Sequence, residues 1–173
     1  LGVGSMNAAS IFKHLIKKKI IRISKKEIYQ ICSLIGSDVI LGMHTNSLIL
    51  KSNNSIKHFL IKKNIFTLII KPGFGCSTKK IYSKVKNFKK SIFNQPIKSM
   101  FNLDFLKKMG NDLELIALKE YTKLNTLKFF LMKLSSVEFV RMTGSGSAII
   151  AYFKSYKMCK EAEKKVKKQF KNY

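Results

Sequence analysis

At 173 residues, with 34 lysines and arginines against nine acidic side chains and a formal charge of +25, the chain can bury one good core or two small ones. No apolar run reaches the length of a membrane-spanning helix, and no membrane partner is expected. The charge invites a nucleic-acid partner, but Arg22 and Arg141 are the only arginines, and arginine is the residue that forks onto bases and phosphates, so no specific nucleic-acid binding is expected.

Lysine, isoleucine and asparagine dominate together, as codon bias in an A/T-rich genome would produce. An attraction to polyanionic small molecules remains. Cys32, Cys76 and Cys159 have no metal-ligand spacing and are odd in number, which reads as reduced thiols in a cytoplasmic protein. His14, His44 and His58 form no pair at ligand spacing, so surface or satisfied partly buried roles are expected of them.

The chain opens on Leu1-Gly2-Val3-Gly4-Ser5-Met6-Asn7-Ala8-Ala9, followed by Ile11, Phe12, Leu15, Ile16 and Ile20 at helical spacing. The pattern predicts a glycine loop that opens a helix. Unpaired N–H groups and the positive end of the helix dipole would suit a phosphate there. A glycine turn with an ordinary cap is the plainer alternative. The first residue is not methionine and lies inside the motif, so a fragment lacking its N-terminal part is expected.

Ser24-Lys25-Lys26-Glu27 has the form of a capping box, and the helix it starts carries Ile28, Ile31, Cys32 and Ile35 before Gly36. Asp38 follows in a Gly-Ser-Asp turn between apolar segments, whereas Glu27, Glu120, Glu161 and Glu163 sit among lysines on helices. Two readings stand for it: a turn-forming or capping aspartate, or a carboxylate at a cleft that orients or deprotonates a hydroxyl.

Residues 45–52 and 56–61 predict two strands joined at Asn53-Asn54. Ile65 to Ile70 is a continuous apolar run, expected to be a buried strand that opens a second domain. In the loop Gly73 to Thr78, Ser77 or Thr78 can cap a helix with Ile81, Tyr82 and Val85. Residues 89–110 are the least determinate. Helices are expected from Asn111 through Leu118 and over 120–134, strands over 137–142 and 148–153, and a lysine-rich helix over 155–171. Thr143-Gly144-Ser145-Gly146-Ser147 is a second glycine loop, which a plain hairpin would also explain.

Taken in order, these stretches resemble the galactokinase–homoserine kinase–mevalonate kinase (GHMP kinase) superfamily, within it the branch acting on 4-diphosphocytidyl-2-C-methyl-D-erythritol in the non-mevalonate isoprenoid pathway. Leu1–Ala9 resembles the phosphate-loop motif, and Gly36-Ser37-Asp38-Val39 the motif of the catalytic aspartate. Lys71 to Thr78 with Ile81-Tyr82 resembles the entry to the substrate-side helix, Met142 to Ala148 the third family motif, and Asn111 to Glu114 a weaker fifth match. Departures are Val3 for a glycine, Met6 for a serine, and Ile40 where proline is usual.

The resemblance implies an α+β, two-domain fold: residues 1–63 the end of a ribosomal-S5-like, ATP-binding N-terminal domain, and 64–173 a ferredoxin-like C-terminal domain. It implies an ATP-dependent kinase with Mg²⁺, phosphorylating the 2-hydroxyl of the cytidyl substrate. Leu1, Gly2, Val3, Gly4, Ser5, Met6 and Asn7 would cradle ATP phosphates, with Ser5 placing Mg²⁺ or a phosphate oxygen. Asp38 would be catalytic; Thr78, Tyr82, Gly144, Ser145 and Gly146 would face the substrate. Tyr82 would stack on cytosine, or else pack on the core face of its helix. The family also has a preceding half-chain that supplies a lysine beside the aspartate and aromatic residues around cytosine. Rival readings are a mevalonate- or homoserine-type kinase, and an inactive fragment serving as a binding module.

Overall fold

The computed structural model describes residues 3–61, 64–90 and 93–170, with side chains from Gly4 onward. In chain order its elements are α1 (Val3–Lys17), α2 (Lys25–Ile35), α3 (Val39–Gly42), β1 (Ser47–Leu50), β2 (Ile56–Phe59), β3 (Phe66–Ile70), α4 (Thr78–Tyr82), a 3-10 turn (Lys98–Phe101), α5 (Leu103–Lys108), α6 (Glu114–Glu120), α7 (Thr122–Met132), β4 (Phe139–Met142), β5 (Ile149–Phe153) and α8 (Tyr156–Gln169). They form two compact units, Leu1–Ile61 with Ser91–Pro96, and Lys62–Lys90 with Ile97–Tyr173.

In the first unit α1 and α2 meet α3 around Ala9, Phe12, Cys32, Val39 and Ile40. The capping box forms as the sequence predicts: Ser24 accepts from the Glu27 N–H, and Glu27 accepts from the Ser24 N–H at 2.7 Å. The apolar face is narrower than the periodicity suggests, since Ile11, Ile20 and Ile35 are all exposed. One turn of α1 presents Ala9 and Phe12 inward, which leaves Ile11 on the outer side of the same turn.

β1 and β2 form an antiparallel hairpin in the register Ser47↔Phe59 to Leu50↔Ile56. The turn is made by Asn54, at φ 60°, and by the Asn53 side chain, which accepts from the Ser55 N–H. Asparagine tolerates that left-handed backbone and bonds its own chain two residues on. Asn94 accepts from the Ser52 hydroxyl at 2.6 Å, tying residues 93–96 to this unit.

One histidine expectation fails here. His44, just past α3, and His58, on β2, meet edge to face with ring centroids 4.7 Å apart. Chain folding supplies a proximity that spacing could not announce. The His44 Nε2 is buried without a hydrogen-bond partner, and burial, then His58 and Lys13, lowers the pKa of this imidazole.

The second unit is a three-stranded antiparallel sheet in the order β3-β5-β4. Ile149, Ala151 and Phe153 of the central strand, with Val140, Met142 and Ile70, share a core with Ile81, Leu113, Ala117, Leu124, Leu127, Leu131, Ala162 and Val166 from the helices. The expected order of strand, helices, two strands and terminal helix holds, with the helices on one face.

β3 departs from the expected buried strand. It lies at an edge, Thr67 and Ile69 point outward, and Ile69 is 48% exposed. An unbroken apolar run reads the same whether one face or two are covered, so the sequence could not decide this. α4 ends at Tyr82 and leaves Val85 beyond it, though still against the core. The indeterminate stretch holds the 3-10 turn and α5, whose Leu106 and Met109 carbonyls accept from the Arg141 guanidinium. One of the two arginines is thereby spent on closing a helix.

Candidate functional site

Leu1 and Gly2 lie outside the described residues, as does the Val3 side chain. From Val3 onward the predicted glycine loop is already helix: Gly4, Ser5, Met6 and Asn7 occupy the first turns of α1. The single Gly4 does not outweigh Met6, Ala8 and Ala9, which are good helix formers, so the helical backbone extends back through the motif. Gly4 and Asn7 are exposed and Ser5 half-buried, and a Cβ added at Gly4 would meet no atom within 4 Å. The first turn holds no acidic residue, so its unpaired N–H groups and positive dipole end are uncompensated by any side chain there.

Asp38 sits at the N-cap of α3, yet its side chain makes no capping bond. It is exposed and enters no ion pair among the described residues. The other carboxylates are mostly committed: Glu27 to its capping box, and Asp112, Glu114, Glu120, Glu138 and Glu163 to lysines. The aspartate side chain therefore makes no capping bond, while the turn-forming half of the local alternative stands, with Asp38 in the turn that leads into α3. α3 is pressed onto α1 by Gly42, whose missing side chain makes room for Ala9 and Met6. The Lys13 ammonium donates to the Gly42 carbonyl at 3.0 Å. Cation and helix C-terminus suit one another.

In the second unit three predicted segments meet at the Gly144–Ser147 loop. The Thr78 and Ser145 hydroxyls lie 2.8 Å apart. The buried Ser147 hydroxyl donates to the Phe74 carbonyl. Gly144 and Gly146 take φ values of 52° and 88°, a left-handed backbone that glycine adopts at no steric cost. The loop also closes the antiparallel hairpin of β4 and β5, so the plain hairpin and the motif describe one object. Ser77, not Thr78, caps α4, accepting from the Lys80 N–H. Tyr82 is 51% exposed beside Phe88, at 6.4 Å between centroids, while its neighbour Ile81 is fully buried. Packing on the core face thus falls to Ile81.

A cleft of about 360 Å³ beside α4 is lined by Phe74, Gly75, Glu120, Tyr121, Thr122 and Lys123. Its tyrosine hydroxyl accepts from the Ser77 N–H at 2.9 Å. Hydrogen bonds from Lys80 and then Lys84 hold the Glu120 carboxyl down at about 2. A depressed carboxylate stabilises the fold above its unfolded pKa and loses that contribution as pH falls through the folded one. The window therefore runs from the ordinary 4.5 down to about 2. Glu120→Gln is expected to flatten the fall of the thermal midpoint across that window and to leave its slope at neutral pH unchanged.

No family model matches the chain. Over all 173 residues it is 49% identical to a Pelagibacter ubique protein named 4-diphosphocytidyl-2-C-methyl-D-erythritol kinase. Its relatives are kinases of that name. Those of Petrotoga mobilis and Clostridium tetani are 32% and 30% identical over 157 and 179 residues, or 86% and 98% of this chain. The chain spans 62%, 60% and 63% of the three relatives' lengths. A crystal structure of 4-(cytidine 5'-diphospho)-2C-methyl-D-erythritol kinase superposes at a TM-score of 0.76, with 19% identity, over 97% of this chain and 62% of that one. The fold is therefore that of this α+β kinase. The likeness to the kinase branch drawn from the five motifs holds along the whole chain. No described helix is long and apolar enough to cross a membrane.

Proposed function

We propose that this chain carries the nucleotide-side and substrate-side segments of a cytoplasmic, ATP-dependent kinase that phosphorylates the 2-hydroxyl of 4-diphosphocytidyl-2-C-methyl-D-erythritol. The observation that carries the reading is the 49% identity over all 173 residues to a kinase so named. In this reading residues 1–63 belong to the ATP-binding domain and 64–173 to the C-terminal domain.

The open first turn of α1, with Gly4 bare and no carboxylate present, supports a role in holding phosphate oxygens. Asp38 is the exposed, uncommitted carboxylate of the first unit, which supports its role on the substrate hydroxyl. As the hydroxyl oxygen bonds to the γ-phosphorus, its proton passes to Asp38, and the bond from phosphorus to the bridging oxygen breaks to release ADP. Phosphoryl transfer asks mainly for positioning and charge neutralisation, so few protein groups suffice. Mg²⁺ would arrive with the nucleotide. No group of three or more carboxylate, imidazole or thiol side chains gathers among the described residues, and Ser5 offers a single hydroxyl. The described residues do not fit a resident metal centre.

The gene product containing this chain, supplied with ATP and the cytidyl substrate, is expected to phosphorylate the 2-hydroxyl and to leave mevalonate and homoserine untouched. Preferential turnover of either alcohol would move the assignment to another GHMP kinase. Binding of the cytidyl substrate without turnover would favour the binding-module reading.

A further inference from the structure

The Asn111–Glu114 segment reaches the Gly144–Ser147 loop from outside the hairpin that forms it. β4 is an edge strand, so alternate N–H and C=O groups along it have no strand to meet. At Met142 these groups are met by side chains. The Met142 N–H donates to Glu114 Oε1 at 2.6 Å. The Asn111 amide donates to the Met142 carbonyl at 2.9 Å and to the Gly144 carbonyl at 2.8 Å. Its Oδ1 accepts from the Leu113 N–H at 3.0 Å. Both amide hydrogens are thereby used, and the orientation of the group is fixed by its partners. Glu114 is held in turn by Lys128 at 2.9 Å.

We infer that Asn111 is a positioning residue, setting the near end of the Gly144–Ser147 loop for the substrate; the inference rests on the kinase reading above. The far end is anchored separately, by Ser147 on the Phe74 carbonyl and by Gly146 against Met142 and Cys76. At the near anchor itself, a Cβ on Gly144 would meet nothing within 4 Å. The loop is held from behind and open in front, as a ligand-facing loop must be. Aspartate cannot replace Asn111, because it has no hydrogen to give and would set a charge against two carbonyl oxygens. Serine has one donor where two carbonyls need one each.

The test compares Asn111→Asp, and Asn111→Ser as the milder change, with the parent gene product. KM for the cytidyl substrate is expected to rise about tenfold or more, within the range that a misplacement near 1 Å produces. KM for ATP should stay within about twofold, a split that a general loss of folding would not give. Asp112→Asn, whose carboxylate holds the Lys89 N–H and ammonium, is the neighbouring control expected to change neither. An unchanged substrate KM in a folded variant, or equal rises for both substrates, overturns the positioning role alone. A parent that does not turn over the cytidyl substrate overturns the kinase reading and this inference with it.

Discussion

Asp38→Asn is expected to lower kcat by a factor of about 10² or more, as the loss of a positioned acid–base group does. The stability of the chain should hardly change. The carboxylate is exposed, caps nothing with its side chain and has no ion pair among the described residues to lose, and asparagine suits the same turn. That combination separates chemistry from folding, because most removals of an acidic residue in this lysine-rich chain would release a cation instead. ATP affinity should also survive, since the segment proposed to hold the phosphates lies on another element, α1. Steady-state kinetics beside a denaturation curve reads both quantities. Turnover near the parent's in a folded variant removes Asp38 from the mechanism.

Much of the fold could be read from residues whose roles are local. The Ser24–Glu27 capping box, the Asn53-Asn54 turn and the Ser77 cap each act within four residues, so spacing alone announces them. What escaped the sequence depends on partners far along the chain. β3 is half exposed because the helices cover one face of the sheet, where Phe66, Leu68 and Ile70 point, and leave Thr67 and Ile69 on the other. The His44–His58 contact requires the hairpin to form first. Asn111 to Glu114 reads as a helix start, but α6 begins only at Glu114; the second task of Asn111 and Glu114, on β4, lies 31 and 28 residues away. The helix also starts earlier in the glycine stretch than its residues suggest, for another reason. Glycine signals a loop only statistically, and here one glycine costs about 1 kcal/mol in a helix that Ala8, Ala9 and the Phe12 face sustain.

The candidate site was legible as residue types more than as geometry. Gly144, Ser145 and Thr78 come together as expected, because the hairpin closes that loop whatever its task. Asp38 already stood apart in the sequence, between apolar segments and away from the lysines, whereas the partners of the other carboxylates come from the fold, Glu120 with Lys80 and Lys84 being one such set.

Gly42 ties α1 to the aspartate turn, and Gly42→Ala is expected to destabilise the chain by about 1–3 kcal/mol, the usual cost of overpacking. The added methyl would lie 2.6 Å from the Ala9 Cβ and 3.0 Å from the Met6 Cε. Met6 can turn aside, but the Ala9 Cβ is fixed to the backbone of α1 and cannot. The two helices must therefore part, and α3 carries Asp38 at its start. Ala9→Gly alone should cost about 0.5–1 kcal/mol, through the flexibility of glycine in a helix. Placed together with Gly42→Ala, it should return most of the loss, because it removes the atom that clashes. Urea denaturation of the four variants measures that coupling, which is expected only between residues in contact. Simple additivity would show that the close approach of α1 and α3 at Gly42 does not hold them together.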